Sequence, residues 1–129
     1  MKPVSLLIVE DDALLAQAYK VFLNKMPLEV EIVGTLAASL ERFDQLQPDI
    51  ILLDLLLPDG HGIELLRYAK NINPDTVVVV VTTESSSEST RESILSGAED
   101  YLVKPLNQER LITTVQNVLE MIRLKSALS

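Results

Sequence analysis

Four groups of polar residues stand where apolar runs end. Glu10 and Asp11 follow "SLLIV", Asp54 closes "DIILLD", Thr82 and Thr83 close "TVVVVVTT", and Lys104 follows "DYLV". Asp54 is the most conspicuous, because every other position from Ile50 to Leu57 is apolar. A carboxylate left unpaired inside such a run costs several kcal/mol, so Asp54 is expected either at the strand's end or against a positive group. If the fold brings Glu10, Asp11 and Asp54 together, the repulsion is large. Two carboxylates about 4 Å apart oppose each other by roughly 4 kcal/mol at an effective dielectric near 20, and three do so in three pairs. A divalent cation reverses that sign. Few ligands, all oxygen, with room for water and a phosphate, suit Mg2+ better than a Ca2+ cage or a zinc site. Lys104 would then neutralise a carboxylate and grip an added phosphate oxygen, with the Thr82 hydroxyl beside it.

The elements that must position these groups alternate along the chain. The runs 5–9, 30–34, 49–54, 76–82 and 100–103 read as strands. The stretches 12–26, 36–47, 62–72, 86–97 and 107–128 carry the period of helices, with Thr35 and Asn107 as N-caps and Gly97 as a stop after the fourth. Strand alternating with helix five times predicts an α/β fold, a doubly wound (βα)5 sandwich of the flavodoxin-like kind. Its five-stranded parallel sheet is expected in the order 2-1-3-4-5, with right-handed crossovers. In such a sheet the ligand crevice lies beyond the carboxyl ends of the strands, where strand order reverses. The first and third strands are neighbours there, which brings Glu10, Asp11 and Asp54 to one place. Asp12 is expected to be a helix cap or first-turn acid, and His61 a loop residue at the start of the third helix.

Composition excludes several functions. The chain has 129 residues, 47% of them hydrophobic, which suits one domain with one core. With 19 acidic against 11 basic residues, a formal net charge of −8 and no Lys/Arg cluster, direct binding of nucleic acid or an anionic membrane is not expected. There is no cysteine, hence no disulfide and no thiolate metal site. The start of the chain turns acidic too early for a signal peptide, and no apolar run approaches the roughly 20 residues of a membrane span. A cytoplasmic location is expected.

The stretches "LLIVEDD", "DIILLDLLLPDGHG", "VVVTT" and "AEDYLVKPL" closely resemble the receiver domain of bacterial two-component response regulators, over nearly the whole chain. The resemblance implies a phosphoacceptor at Asp54, an acidic pair at Glu10 and Asp11 with Asp11 a direct Mg2+ ligand, and the Leu56 backbone carbonyl as a further ligand. It also implies a lysine at Lys104, a switch hydroxyl at Thr82, a switch aromatic at Tyr101, and a phosphate contact from the Thr83 backbone. The chemistry implied is phosphoryl transfer to Asp54 from a phosphohistidine of a sensor histidine kinase or a phosphotransfer protein, followed by hydrolysis of the acyl phosphate. Such a domain catalyses its own phosphorylation and dephosphorylation for a regulatory end, here the control of an output, expected to be transcription. Thr83 departs from the family's more frequent small residue, and Leu56 and Glu84 hold the positions that tune acyl-phosphate lifetime, which leaves that lifetime open.

Three alternatives compete. A flavodoxin-like electron carrier needs a Ser/Thr/Gly loop after the first strand, where "EDD" would repel a phosphate. An aspartyl-phosphate phosphatase would need a second acid at Leu56. A receiver fold that interacts without phosphorylation differs from a working one only in its chemistry, which the complete residue set argues against.

In the last helix, Leu111, Val115, Val118 and Ile122 form a buried stripe with Ile112 and Leu119 on its shoulder. The stripe then stops, since its continuation falls on Lys125, Ser126 and Ser129, and Met121, Leu124 and Leu128 form a second stripe. The sequence therefore divides into a receiver domain over 1–122 and a helical extension over 123–129, a linker to an output domain. A homodimer through the fourth helix, fifth strand and fifth helix is expected, its assembly changed by phosphorylation.

Overall fold

The computed structural model describes residues 3–128, so the outermost residues of the two expected ranges, Ser129 among them, lie outside the described part. Among the described residues twelve elements follow one another. They are β1 (Val4–Val9), α1 (Ala13–Phe22), β2 (Leu28–Val33), α2 (Leu36–Leu46), β3 (Ile50–Leu53), β4 (Leu56–Leu57), β5 (Gly60–His61), α3 (Ile63–Ile72), β6 (Val77–Thr82), α4 (Ser87–Leu95), β7 (Asp100–Val103) and α5 (Gln108–Leu128). Five strands make one parallel sheet in the order β2-β1-β3-β6-β7, which is 2-1-3-4-5 when the sheet's own strands are counted. Its central strands are apolar at nearly every position because both faces are covered. Leu6, Ile8, Ile50, Leu52, Val79 and Val81 face α1 and α5, where Ala16, Tyr19, Leu111, Val115 and Val118 meet them. Leu7, Val9, Ile51, Leu53, Val78 and Val80 face the other way, onto Leu36 and Phe43 of α2 and Leu65, Leu66 and Ala69 of α3.

The caps follow the sequence closely. Asp12 accepts from the Leu15 N–H at 3.1 Å, Thr35 from the Ala38 N–H at 3.0 Å and Asn107 from the Arg110 N–H at 2.7 Å. Gly97, at φ +109°, ends α4 in a Schellman turn, its own N–H bonded to the Ile94 carbonyl and that of Ala98 to the Ser93 carbonyl. Several boundaries differ from the sequence reading, and two have a visible cause. α1 ends at Phe22 instead of running to Met26, because Pro27 bars helix at the residue before it and the chain turns through Asn24 and Met26 N–H bonds. β2 then starts two residues early, at Leu28, to pair with Val4.

α4 inverts the usual polarity. Its buried positions are Ser89 and Ser93, while Ile94 and Leu95 are exposed. The Ser93 hydroxyl has no hydrogen-bond partner among the described residues.

α5 is one unbroken helix across the expected boundary at Ile122. Met121, assigned to the second stripe by its spacing, packs with Leu119 and Ile122 on the core, whereas Leu124 and Leu128 are exposed. The reason is geometric: Met121 and Ile122 both border the broad stripe that a helix lays on a sheet.

The sequence reading also missed a two-strand hairpin, β4–β5, directly after β3 and turned by Pro58 and Asp59. Its return path is tight. A Cβ on Gly62 would lie 2.5 Å from the Asp54 carbonyl oxygen and 2.9 Å from the Leu55 Cα, both backbone atoms that cannot swing aside. Gly62→Ala is therefore expected to lower stability by about 1–3 kcal/mol, read as a fall in the urea midpoint. An unchanged midpoint would mean that the hairpin is not held where it is drawn.

Candidate functional site

Each strand delivers its polar residue to the carboxyl edge. Asp54 follows β3 by one position, its N–H bonded to the Val9 carbonyl, and is 6% exposed. It meets the condition set by its charge in both ways, at the strand's end and against a cation. The Lys104 ammonium donates to Asp54 Oδ2 at 2.7 Å and also to Glu10 Oε1. The other oxygen, Oδ1, accepts from the Thr82 hydroxyl at 2.9 Å and from the Leu56 N–H at 3.0 Å. Glu10, equally buried, turns Oε2 back to the Asp12 N–H at 3.0 Å. Asp11 is exposed beside it.

The electrostatics follow from two carboxylates, Glu10 and Asp54, sharing one ammonium, with the Asp11 carboxylate beside them. Burial alone would pull the Lys104 ammonium down, but hydrogen bonds to Asp54 and Glu10 outweigh it and hold the group above its ordinary value, firmly charged. Glu10 is raised as well, but here burial is the cause that wins. Burial raises its carboxyl more than Lys104 and the Asp12 N–H lower it, and Asp54 adds to the rise. The shared lysine thus leaves negative charge uncompensated. Carboxylate oxygens of Glu10, Asp11 and Asp54 all lie within 4.8 Å of one another, and no sulfur or imidazole is among them. The donor set fits a small hard cation.

The remaining predicted residues lie around this centre. Tyr101, on β7, is half-buried, and its hydroxyl donates to the Glu84 carbonyl at 2.6 Å and lies 3.0 Å from Ser89 Oγ. Thr83 is exposed at the rim, one residue past β6. Lys104 is fixed by its own N–H on the Thr82 carbonyl at 2.8 Å and is followed by a cis peptide to Pro105. Sequence reasoning missed two contacts of the hairpin. Asp59 accepts from the Leu36 and Ala37 N–H groups at 2.7 and 2.9 Å, which holds its carboxyl below the usual range and caps α2. His61 lies in β5 and reaches Glu84 on the next loop. The signal for the first was "LPDG", a turn sequence that would have presented Asp59 at its corner.

Known proteins are similar to this chain in sequence and fold. The sequence pattern of the response regulator receiver domain matches residues 6–116. The regulatory protein LuxO of Vibrio cholerae is 38% identical over 111 residues, covering 86% of this chain and 24% of LuxO. The transcriptional regulatory protein DpiA of Escherichia coli is 36% identical over 115 residues, covering 88% of this chain and 51% of DpiA. The chain therefore spans about a quarter of one relative and about half of the other. Among solved structures, the signal receiver domain of a putative LuxO repressor protein from Vibrio parahaemolyticus superposes with a TM-score of 0.93 at 32% identity, covering 100% of this chain and 98% of that one. A CheY-like response regulator receiver domain protein from Methanospirillum hungatei gives 0.90 at 30% identity, covering 95% and 98%. The pattern runs from inside β1 into α5 and so takes in every strand of the sheet, and by that match the chain belongs to the family of response regulator receiver domains.

Proposed function

We propose that this receiver domain takes a phosphoryl group onto Asp54 from a phosphohistidine of a sensor histidine kinase or a phosphotransfer protein, and that the product changes the domain's surface. The observation that supports this most is the pairing of one buried carboxylate with Lys104 and Thr82 beside the acidic pair Glu10 and Asp11. An Asp54 oxygen attacks phosphorus as the bond to the donor's imidazole breaks, and the imidazole leaves with the electron pair. Lys104 follows the charge, exchanging a carboxylate oxygen for a phosphoryl oxygen. Thr82 Oγ1 offers a donor on the same side, and the Thr83 N–H another. Mg2+, held by Glu10, Asp11, Asp54 and the Leu56 carbonyl, would supply neutralisation of the phosphoryl oxygens.

Thr82 and Tyr101 are the responding pair in this reading. The Thr82 hydroxyl is turned to Asp54 and that of Tyr101 to the Glu84 carbonyl, so one loop senses both. Acetyl phosphate with Mg2+ tests the assignment: one hydroxylamine-labile phosphoryl group is expected on the peptide carrying Asp54, and phosphate on another residue would overturn it.

The output assigned here is transcription, by analogy with the regulators of which the chain covers a part, and the location is cytoplasmic. No helix among the described residues is long and apolar enough to cross a membrane. Ile94, Leu95 and Val103 are exposed on the face made by α4, β7 and α5, and Leu124 and Leu128 extend α5 with apolar surface. A homodimer through this face would bury them. Light scattering is expected to show a larger mass with beryllofluoride, a phosphoryl mimic, for wild type and not for Leu124→Asp. An unchanged monomer mass throughout would remove the dimer and leave Asp54 untouched.

A further inference from the structure

The loop that follows Asp54 is tied on both sides. Asp59 fastens it to the start of α2, and His61 fastens it to the loop between β6 and α4. The imidazole is oriented by its own chain, because His61 Nδ1 accepts the Ile63 N–H at 3.2 Å. A nitrogen that accepts carries no proton, so in the neutral ring the proton sits on Nε2, and Nε2 stands 3.0 Å from Glu84 Oε2.

Glu84 is the junction. Its carbonyl receives the Tyr101 hydroxyl, and its N–H reaches Thr82 Oγ1 at 3.4 Å. Thr82 ends on Asp54 Oδ1, and so does the N–H of Leu56, the residue paired with His61 across the hairpin. A circuit therefore closes from Asp54 through the hairpin, His61, Glu84 and Thr82 back to Asp54, with Tyr101 hung from Glu84.

We propose that His61 is a positioning residue for the loop that carries Glu84 and, through it, for Tyr101. By holding the Glu84 carboxylate at the rim, it fixes the peptide whose carbonyl receives Tyr101. This rests on the reading of Asp54, Thr82 and Tyr101 given above. The two side chains are 42% and 30% exposed, so their contact adds little to global stability. Its effect falls on the loop between β6 and α4, where a small bias in a local equilibrium changes populations by a measurable factor. Removing the tie frees Glu84 to turn its carbonyl from Tyr101.

The test is a double-mutant cycle on the full chain with His61→Ala and Glu84→Ala, together with His61→Gln, whose side-chain amide can donate to the same carboxylate. Tyr101 is followed in the unmodified protein by NMR of ring-labelled tyrosine, its signal assigned among three tyrosines with Tyr101→Phe. His61→Ala is expected to shift the population of Tyr101 away from Glu84 by roughly two- to fivefold, with almost no change in melting temperature. His61→Gln should restore most of it, and in the Glu84→Ala background His61→Ala should have no further effect. A Tyr101 signal indifferent to His61→Ala, or an equal shift when Glu84 is already Ala, would overturn the proposal. Phosphoryl uptake is measured separately on the same proteins. If the wild type takes none at Asp54, the functional reading fails, while the Tyr101 comparison still decides whether His61 holds the loop.

Discussion

Asp54→Asn, incubated with acetyl phosphate and Mg2+, is expected to take up no phosphoryl group, against one per molecule in the wild type. The substitution keeps the shape and an oxygen for the Thr82 and Leu56 donors but removes the anionic nucleophile. Of the neighbouring acids, Glu10 is already held by Lys104 and the Asp12 N–H, and Asp11 is exposed beside it without a lysine contact among the described residues. Lys104→Ala separates uptake from response. Asp54 keeps its position, because its N–H stays on Val9, and so still accepts phosphate. What is lost is the ammonium that would draw β7, and with it Tyr101, toward the phosphoryl oxygens. Driving such a switch from 1:99 to 99:1 takes about 5.5 kcal/mol of differential binding, which leaves little room to forfeit a buried ionic contact. Intact mass should show one added phosphoryl group on Lys104→Ala while the Tyr101 ring signals stay at their unmodified positions. A Lys104→Ala protein that both accepts phosphate and shifts Tyr101 fully would contradict this role for the lysine.

The second large effect is stabilisation by Mg2+, and it depends on pH. The Glu10 carboxyl sits above its ordinary value of 4.5 because burial outweighs its partners. The sign follows directly. The protonated form is favoured by folding, so this contribution is complete below about 4.5 and is lost as pH rises through the folded value. Metal-free protein therefore carries its heaviest electrostatic load near neutrality, where Mg2+ relieves it. At a hundred times its dissociation constant, Mg2+ bound to the folded state alone adds roughly 2.7 kcal/mol. For a domain of this size that raises the melting temperature by about 10 °C. The rise should be large at pH 7 and shrink towards pH 4. Asp11→Ala should remove most of it and, by relieving repulsion, stabilise the metal-free protein slightly. Melting curves indifferent to millimolar Mg2+ in both proteins would show that the acidic cluster does not hold the ion.

The sheet could be read from the sequence because its strands are covered on both faces, which turns "IILL" and "VVVVV" into unbroken apolar words. Asp54 was legible for the same reason, as a charge in a place that tolerates none. The hairpin was not. Strands of two residues are too short to show a period, and its anchors, Asp59 to Leu36 and His61 to Glu84, each join residues 23 positions apart. No local pattern announces a hydrogen bond across that distance. Met121 illustrates another limit. On a 21-residue helix, a position at the edge of a buried stripe is assigned by the sheet beneath it, which periodicity does not see.

The inside-out polarity of α4 has a consequence for how the molecule breathes. A buried Leu or Ile contributes about 1.5–3 kcal/mol, and α4 places its two on the outside while keeping serines within. Little apolar area is surrendered when this helix lifts. Its amide protons should therefore exchange with solvent through a local opening, well ahead of those of β3 and β6, whose release requires unfolding of the whole sheet. Because Ser89 lies against the Tyr101 hydroxyl, that opening and the ring's position are parts of one fluctuation. The domain is built as a rigid slab with one loosely seated stave, and the stave lies next to the reporter.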